Sequence, residues 1–320
     1  MSSVAVIGAG AWGTALAIQA ARAGNSVTLW ARDPVRARTI AANRENPHLP
    51  GVPLPETIQV TSVPPNSADL ALLAVPTQHL RGVLGHLAPG LSPLVVCAKG
   101  VEQTTLRLPL EIVAELRPAV PAAVLTGPNF AREIAAGLPA AAVVAATDAA
   151  LRESVAALLG TPSFRLYGND DPIGAQVGGA AKNVIAIAAG AVIGAGLGEN
   201  ARAALITRGL AELARLAVAL GGRAETVMGL SGLGDLLLTC TGEASRNYSL
   251  GLALGRGERL ADVLAARSSV TEGVATAPAL AARAQGVDLP VCAAVASLLA
   301  GRTTLAEAII AVLARPRRDE

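Results

Sequence analysis

The stretch Val4-Ala-Val-Ile-Gly8-Ala-Gly10-Ala-Trp-Gly13 decides the fold of the first half of this chain. A short buried-strand run leads directly into the three glycines, and residues 14–23 continue with a helical pattern. Gly8 permits the tight turn, Gly10 lets the backbone approach a pyrophosphate, and Gly13 lets the strand and helix pack closely. The helix N-terminus adds amide donors and a positive dipole end. The stretch therefore predicts a dinucleotide-binding domain, with a glycine-rich turn that binds no ligand as the alternative.

Strand and helix patterns then alternate as far as residue 170. The predicted strands are 26–31, 69–75, 94–98, 122–126 and 140–146, with helices such as 78–87 and 109–116 between them. This alternation predicts a parallel sheet with right-handed crossovers, whose ligands lie beyond the carboxyl ends of the strands. The carboxyl ends of three strands carry Val75-Pro76, Lys99-Gly100 and Gly127-Pro128-Asn129. We expect them to converge on the edge that carries the glycine turn.

Only helical patterns follow Asp171, at roughly 172–196, 200–220, 232–240, 245–255, 271–285, 290–300 and 303–314. The fold class is therefore α/β, with a Rossmann-type parallel sheet domain followed by an all-helical domain. We place the dinucleotide-binding domain at 1–170, the helical substrate and catalytic domain at 171–320, and the active site in a cleft between them. The last residues, 315–320, are expected to be a solvated tail.

Composition excludes several classes of protein. The chain has 320 residues, 52% hydrophobic content and a net charge of +2 with no basic block, which argues against disorder and nucleic-acid binding. Cys97, Cys240 and Cys292 are far apart, so we expect no disulfide framework and no metal site, and a cytoplasmic location fits. No signal peptide is recognisable, and the uncharged stretch 183–198 is short and glycine-broken for a membrane span.

Lysine usage singles out two positions. Of 26 basic residues only Lys99 and Lys182 are lysines, and Lys182 lies beside Asn183 in an otherwise apolar stretch. Lysine can release its proton where arginine cannot, and a lone ionisable group among apolar neighbours is a site candidate; chance placement is the alternative. All three histidines precede the helical domain, so Lys182 is its candidate proton donor for a carbonyl reduction. Asn183 either orients the nicotinamide or substrate oxygen or bonds a neighbouring loop.

Three further polar groups open predicted helices. Asp235 either caps a helix or pairs with Lys182 or a substrate hydroxyl. The run Ser245-Arg246-Asn247 suits a phosphate dianion, because it combines a guanidinium with amide donors, or else is a capped helix with an exposed arginine. Glu272 is either a cap or a cofactor contact.

The cofactor preference depends on the pair Arg32-Asp33, which ends the second strand. A carboxylate here favours NAD through the ribose, whereas an arginine favours NADP through the 2′-phosphate. Arg32 comes first after the strand and Arg36 is one turn further on. We therefore expect NADP to be favoured and NAD accepted, with a plain surface charge as the alternative for Arg32.

Taken together, these motifs resemble bacterial NAD(P)-dependent glycerol-3-phosphate dehydrogenases over nearly the whole chain. The ordered set also includes Val75-Pro76-Thr77, Phe130-Ala131, Ala204-Leu-Ile-Thr-Arg208-Gly209, Gly232-Leu-Gly-Asp235, Leu238-Thr-Cys-Thr241 and Val270-x-Glu272-Gly273. The resemblance implies reversible reduction of dihydroxyacetone phosphate to sn-glycerol 3-phosphate for phospholipid synthesis. It also implies a helical domain similar to the C-terminal domain of 6-phosphogluconate dehydrogenase. Beside the substrate, the candidate partner is a second copy of the chain in a homodimer, although the sequence does not reveal the oligomeric state.

The same resemblance implies residue roles. Lys182 matches the proton donor and acceptor. The positions that match substrate contacts are Lys99, Gly127, Asn129, Asp235, Ser245, Arg246 and Asn247. Those that match cofactor contacts are Ala11, Trp12, Arg32, Lys99, Ala131, Arg246 and Glu272, beside the glycines of the turn. Two positions depart from the family: Asn129 replaces the usual Ser or Thr, and His48 replaces a Tyr in a shortened segment, so we assign no cofactor contact to His48.

Two other functions compete with this interpretation. One is a two-domain reductase on the same plan that acts on a hydroxy acid, such as ketopantoate or a β-hydroxyacid. The other is a nucleotide-sensing module without catalysis, which the presence of Lys182 opposes.

Overall fold

The computed structural model describes residues 1–267 and 270–314, so the expected tail at 315–320 lies outside the described residues. The chain forms two compact units. The first, which we call the sheet unit, comprises Met1–Lys99 and Leu108–Gln176. The second, the helical unit, comprises Gly100–Arg107 and the chain from Val177 onward. The units thus divide inside the helix that follows residue 170, and a short segment from the first half groups with the second unit.

The sheet unit contains ten strands and six complete helices among its described residues. The strands are β1 (Ser3–Ile7), β2 (Ser26–Trp30), β3 (Ile58–Thr61), β4 (Ser67–Ala68), β5 (Leu70–Leu73), β6 (Gly90–Leu91), β7 (Leu94–Val96), β8 (Ala122–Thr126), β9 (Ala140–Ala145) and β10 (Phe164–Asn169). The helices are α1 (Ala11–Arg22), α2 (Pro34–Asn43), α3 (Thr77–His86), α4 (Pro109–Leu116), α5 (Ala131–Ala136) and α6 (Ala149–Leu159). Eight strands form one sheet in the order β10-β9-β8-β7-β5-β1-β2-β3, and β4 pairs with β6.

The central strands confirm the Rossmann-type parallel sheet, and one edge departs from it. The run β3-β2-β1-β5-β7-β8 is parallel throughout. By contrast β9 is antiparallel to β8, so uniform parallel pairing was the wrong expectation for the strand predicted at 140–146. The connection contains only α5, six residues long. A helix of that length rises about 9 Å, less than the roughly 16 Å of a five-residue strand, and cannot carry the chain back along β8.

Two sheet strands, β3 and β10, carry no strand assignment from the sequence. Each lies at an end of the strand order. The strand β3 has only four residues, and β10 ends in Gly168 and Asn169, which are residues with low strand propensity. Pairing with the neighbouring strand outweighs that weak local signal.

Side chains of β1 alternate between the two faces of the sheet, as the two-residue period of a strand requires. Val4 and Val6 pack into the core cluster that contains residues of α1, whereas Ile7 packs with residues of α3 and α4. Both faces are therefore covered, as in other parallel sheets flanked by helices. This packing fixes the position of the turn that follows Ile7.

The described residues of the helical unit confirm the predicted all-helical second half. Its helices are α7 (Pro172–Gly194), which begins in the sheet unit, α8 (Gly198–Ala219), α9 (Ala224–Val227), α10 (Asp235–Cys240), α11 (Arg246–Gly255), α12 (Leu260–Ala265), α13 (Glu272–Arg283), α14 (Pro290–Leu299) and α15 (Leu305–Leu313). A π-helical turn, Leu230–Gly234, precedes α10. By length and composition α7 could cross a membrane, but 83% of its most apolar window is buried inside the protein, as expected for a core helix.

Helices α7 and α11 pack backbone against backbone. A Cβ built on any of four glycines would lie between 1.9 and 2.4 Å from a main-chain oxygen of the opposite helix: Gly190 and Gly194 on α7, and Gly251 and Gly255 on α11. Real Cβ atoms do not approach that closely. The four glycines, which we call the glycine contact, therefore bring the polar residues of α7 and α11 within hydrogen-bond distance of each other.

A buried carboxylate from another helix caps the N-terminus of α14. Glu212, on α8 and 1% exposed, accepts hydrogen bonds from the main-chain nitrogens of Val291 at 2.6 Å and Cys292 at 3.0 Å. These nitrogens lie in the first turn of α14, whose amides have no acceptor within the helix. Burial raises the pKa of the Glu212 carboxyl, and the two hydrogen bonds lower it by a smaller amount.

Candidate active site

The three glycines of the turn after β1 are required for different reasons. Gly8 has a φ of +116°, and a Cβ on Gly13 would lie 1.9 Å from the Gly8 carbonyl oxygen. A Cβ on Gly10 would meet no described atom within 4 Å. Protein packing thus accounts for Gly8 and Gly13 but leaves the space at Gly10 open. No side chain caps the start of α1, so its first amides are available to an anion.

Two side chains lie beside this turn, those of Trp12 and Asn46. The Trp12 indole nitrogen is buried and has no hydrogen-bond partner among the described residues. Asn46, fully buried, donates to the Ala9 carbonyl oxygen at 3.1 Å and to the Thr14 hydroxyl at 2.6 Å. Asn46 therefore fastens the segment after α2 to the turn, a role that the sequence did not predict. Its local signal was its place directly before the Pro-His pair.

Of the two side chains after β2 that could contact the adenosine ribose, one is already hydrogen-bonded and the other is exposed. The Asp33 carboxylate accepts from the Val35 main-chain nitrogen at 2.9 Å and caps α2, whereas Arg32 is exposed. Arg36 donates to His48 Nε2 at 2.6 Å. Asp33 is therefore engaged by its own helix, and the local positive charge of Arg32 faces solvent.

The ends of β7 and β8 meet, as predicted for the carboxyl edge of the sheet. Lys99 Nζ donates to the Gly127 carbonyl oxygen at 3.1 Å. Asn129 donates through Nδ2 to the Ala141 carbonyl oxygen at 3.2 Å, while its Oδ1 is buried without a partner among the described residues. Ala131 begins α5 directly after them. An unsatisfied buried oxygen requires a donor, so this edge is suited to a ligand with a hydroxyl or amide group.

The helical unit buries its lysine against a carboxylate. Lys182, on α7, forms an ion pair with Asp235 at the start of α10; their side chains are 8% and 1% exposed. Lys182 Nζ also donates to the Thr239 hydroxyl at 2.9 Å, and that hydroxyl donates to the Asp235 carbonyl oxygen at 2.6 Å. Asp235 thus pairs with Lys182 and does not act as a plain cap. Thr239, four residues further along α10, was missed as a third member.

Next to this pair, two buried asparagines share an amide hydrogen bond. Asn247 Nδ2 on α11 donates to Asn183 Oδ1 on α7 at 2.9 Å. Asn247 Oδ1 accepts from the Gly273 main-chain nitrogen at 3.0 Å. Gly273 follows Glu272, the first residue of α13. Three helices therefore meet at this amide pair, and Asn183 is bonded to a neighbouring helix, close to the alternative that the sequence left open.

The start of α11 combines a cap with two guanidinium groups. Ser245 accepts from the Tyr248 main-chain nitrogen at 3.2 Å, which confirms the capping interpretation for this serine. Arg246 is exposed, and Arg267 donates to the Arg246 carbonyl oxygen at 2.6 Å. The pKa of the Arg267 guanidinium is lowered mainly by its partial burial and, to a smaller extent, by the positive charge of Arg246. Two cations close to the first amides of α11 form a positive region that the sequence assigned only to Arg246.

The predicted site residues fall into two sets, one in each unit. The sheet unit holds Gly8, Gly10, Ala11, Trp12, Gly13, Arg32, Lys99, Gly127, Asn129 and Ala131, and the helical unit holds Lys182, Asn183, Asp235, Ser245, Arg246, Asn247 and Glu272. The two sets differ in chemistry. The sheet unit offers open space beside the backbone of the glycine turn and an amide oxygen with no partner among the described residues, whereas the helical unit offers a buried ion pair and groups suited to bind a phosphate.

The cysteines take no part in either set. All three are free and buried, and burial raises the pKa of each thiol, that of Cys240 to about 12. They remain thiols at neutral pH and are poor nucleophiles and metal ligands. Within residues 1–267 and 270–314 no group of three or more His, Cys, Asp or Glu side chains is placed to hold a metal ion.

Comparison with known proteins gives matches along both halves of the chain. Residues 3–152 match the family described as NAD-dependent glycerol-3-phosphate dehydrogenase N-terminus, and residues 171–310 match its C-terminus. A protein of Acidiphilium cryptum named glycerol-3-phosphate dehydrogenase [NAD(P)+] is 60% identical over 318 residues, covering 99% of this chain and 98% of its own. A relative of the same name from Gluconobacter oxydans is 55% identical, with the same coverage. The crystal structure of glycerol-3-phosphate dehydrogenase from Coxiella burnetii superimposes with a TM-score of 0.94 at 37% identity, covering 98% of this chain and 99% of its own.

Proposed function

The chain belongs to the NAD-dependent glycerol-3-phosphate dehydrogenase family, and from this membership we propose how its residues perform the reaction. The enzyme is an NAD(P)-dependent oxidoreductase that interconverts dihydroxyacetone phosphate and sn-glycerol 3-phosphate by reversible hydride transfer. The observation that carries the residue assignment is the buried ion pair of Lys182 and Asp235 in the core of the helical unit. A buried, paired ammonium beside apolar helices is costly to maintain without a chemical role.

The sheet unit fits the dinucleotide. The open space at Gly10 admits a pyrophosphate, the uncapped amides of α1 donate to it, and the unpartnered Trp12 indole nitrogen is a further donor. Arg32 would meet a 2′-phosphate, while Asp33 is occupied in capping α2. NADP is therefore the favoured cofactor and NAD is accepted. When bound, the reduced cofactor supplies the hydride.

Lys182 handles the proton. As hydride reaches the carbonyl carbon, the carbonyl oxygen gains negative charge and takes a proton from the Lys182 ammonium; in the reverse direction the amine accepts it. Asp235 compensates the ammonium charge inside the unit, and Thr239 fixes the direction of Nζ. Asn183 holds the reacting end from the neighbouring position of α7. In the sheet unit, Lys99, Gly127 and Asn129 are the remaining candidates for the substrate hydroxyl and the nicotinamide.

The start of α11 receives the phosphate group. Arg246 supplies a guanidinium that can form two parallel hydrogen bonds to phosphate oxygens, and the first amides of α11 point toward an anion there. Arg267 adds positive charge beside Arg246. Glu272 and Ala131 complete the proposal as cofactor contacts, on α13 and α5.

We further propose that the product feeds phospholipid synthesis, that the enzyme works in the cytoplasm and that it forms a homodimer. Light scattering of the purified protein distinguishes a monomer from a dimer.

The first experiment compares substrates. Loss of nicotinamide absorbance is followed with dihydroxyacetone phosphate, unphosphorylated dihydroxyacetone and ketopantoate, each with NADPH and with NADH. Rapid oxidation with the phosphate ester alone is the expected result. Equal rates with an unphosphorylated substrate would contradict the phosphate role of α11, and cofactor binding without any turnover would favour a sensing module.

A further inference from the structure

The hydrogen bonds around Asn247 all have a fixed direction. A main-chain N–H can only donate, so the Gly273 nitrogen requires an acceptor, and Asn247 Oδ1 lies 3.0 Å from it. The Asn247 amide group must then turn its NH₂ the other way, where it donates to Asn183 Oδ1 at 2.9 Å. The Asn183 oxygen is thereby occupied. Its own NH₂ makes no hydrogen bond to another described residue.

This sequence of bonds settles an ambiguity that every asparagine has. An amide side chain presents either oxygen or NH₂ to a neighbour after a half-turn about its last torsion, and the two are alike in shape. Asn183 and Asn247 are 4% and 8% exposed, so water does not blur the choice. The backbone donor at Gly273 makes the choice for both residues.

Only a glycine fits at position 273 without disturbing this hydrogen bond. A Cβ at this position would lie 2.6 Å from Asn247 Oδ1, 2.8 Å from the Asn183 carbonyl oxygen and 2.9 Å from the Ile187 side chain. Any other residue would push the Asn247 amide away from the Gly273 nitrogen. The φ of Gly273 is not in the left-handed region, so close approach, and not backbone conformation, explains this glycine.

We infer that Asn247 is a positioning residue that holds Asn183 with its NH₂ toward the substrate, where it donates to the carbonyl oxygen as that oxygen gains charge. The inference rests on the proposed function and deepens it. Lys182 and Asn183 then supply two donors to one developing alkoxide, and a preorganised donor of this kind acts mainly in the transition state.

The test is a double-mutant cycle on kcat. Asn247→Asp keeps an acceptor for the Gly273 nitrogen but cannot donate to Asn183, so the Asn183 amide inverts and turns its oxygen to the substrate. We expect kcat to fall about tenfold or more, with the NADPH affinity of the folded enzyme retained. In an Asn183→Ala background the same Asn247→Asp change should cause no further fall in kcat, because the group on which Asn247 acts is gone.

A second variant of Asn247 and one control variant show whether the effect of Asn247 passes through Asn183. Asn247→Ala should also lower kcat in the wild-type background only, and Arg256→Ala, at the exposed C-terminal end of α11, should leave kcat unchanged. Equal falls in kcat in both backgrounds would mean that Asn247 acts on the substrate directly and would overturn the inference, as would an unchanged kcat in Asn247→Asp. A wild-type enzyme that does not reduce dihydroxyacetone phosphate refutes the proposed function instead, so the two failures are distinguishable.

Discussion

The ammonium of Lys182 and the carboxylate of Asp235 compensate each other inside the helical unit, where neither side chain has more than 8% of its surface exposed. Removing one partner of a buried ion pair leaves an uncompensated charge, which typically costs about 3–5 kcal/mol. Loss of activity after a single substitution would therefore combine loss of chemistry with loss of stability. The two effects need separate measurements.

Combining Lys182→Met with Asp235→Asn separates the loss of chemistry from the loss of stability. We expect Lys182→Met alone to lower kcat by about 10²–10⁴-fold, the usual contribution of a general acid, and to lower the melting temperature. The double variant removes both charges, so the melting temperature should recover while kcat stays low. NADPH binding should persist in both. Recovery of turnover in the double variant would exclude Lys182 as the proton donor.

Gly10→Ala tests whether the open space in the turn belongs to a ligand. No described atom lies within 4 Å of the new Cβ, so the melting temperature should not change, whereas NADPH should bind about tenfold more weakly or worse. Gly13→Ala is the matched contrast, because its Cβ would lie 1.9 Å from the Gly8 oxygen and overpacking costs about 1–3 kcal/mol. Titration calorimetry and thermal melting measure both. Unchanged NADPH affinity in Gly10→Ala would exclude a pyrophosphate there.

Arg32→Ala tests the cofactor preference. A hydrogen bond to a charged group contributes about 1.5–3 kcal/mol, so kcat/KM with NADPH should fall roughly 10- to 100-fold while the value with NADH changes little. Arg38→Ala, an exposed arginine on α2, is the control and should alter neither value. The same fall with both cofactors would show that Arg32 does not read the 2′-phosphate.

Arg246→Ala tests the phosphate site. We expect KM for dihydroxyacetone phosphate to rise about tenfold or more, and inhibition by inorganic phosphate to weaken in parallel. The Arg256→Ala variant, at the other end of α11, should match the wild type in both measurements. A normal KM together with normal phosphate inhibition would remove Arg246 from the site.

Glu212→Gln tests how the buried carboxylate that caps α14 affects the pH dependence of stability. Burial raises the pKa of Glu212 above its ordinary value of 4.5, so the folded chain binds this proton more tightly than the unfolded chain. The stability that this proton contributes is present below pH 4.5 and is lost as pH rises through the folded pKa. The unfolding free energy of the wild type, relative to Glu212→Gln, should therefore decrease across that window. Urea unfolding at several pH values measures it, and an increase with pH would contradict the assignment.

Local sequence rules predicted the parts of the fold that depend on neighbouring residues. The turn at Gly8 and Gly13, the central strands and the long helices follow from spacing and periodicity, and the structure contains them. The direction of β9 could not be predicted this way, since it depends on how short α5 is and on pairing with β8. The use of Asp33 as a cap also needed the structure, because a capping and a ribose-binding carboxylate occupy the same sequence position.

The candidate site was predictable as a set of residues but not as a set of hydrogen bonds. Lys182 stood out by composition, yet its partner Asp235 is 53 residues away, and Asn183 and Asn247 are 64 residues apart. No local pattern encodes pairs at such separations. The asparagine pair depends on the glycine contact between α7 and α11, and the reason for a glycine at position 273 is visible only in the folded chain.

The glycine contact also limits how this enzyme could be engineered for heat resistance. Replacing helical glycines by alanine is a common stabilising strategy, because alanine favours the helix by about 1 kcal/mol. On α3, Gly82 and Gly85 are exposed with no described atom within 4 Å of a new Cβ, and they suit that strategy. At Gly190 or Gly251 the same replacement would force α7 and α11 apart and separate the two asparagines. A rule based on helix propensity alone would treat all four positions alike, and two of them would cost the enzyme its active site.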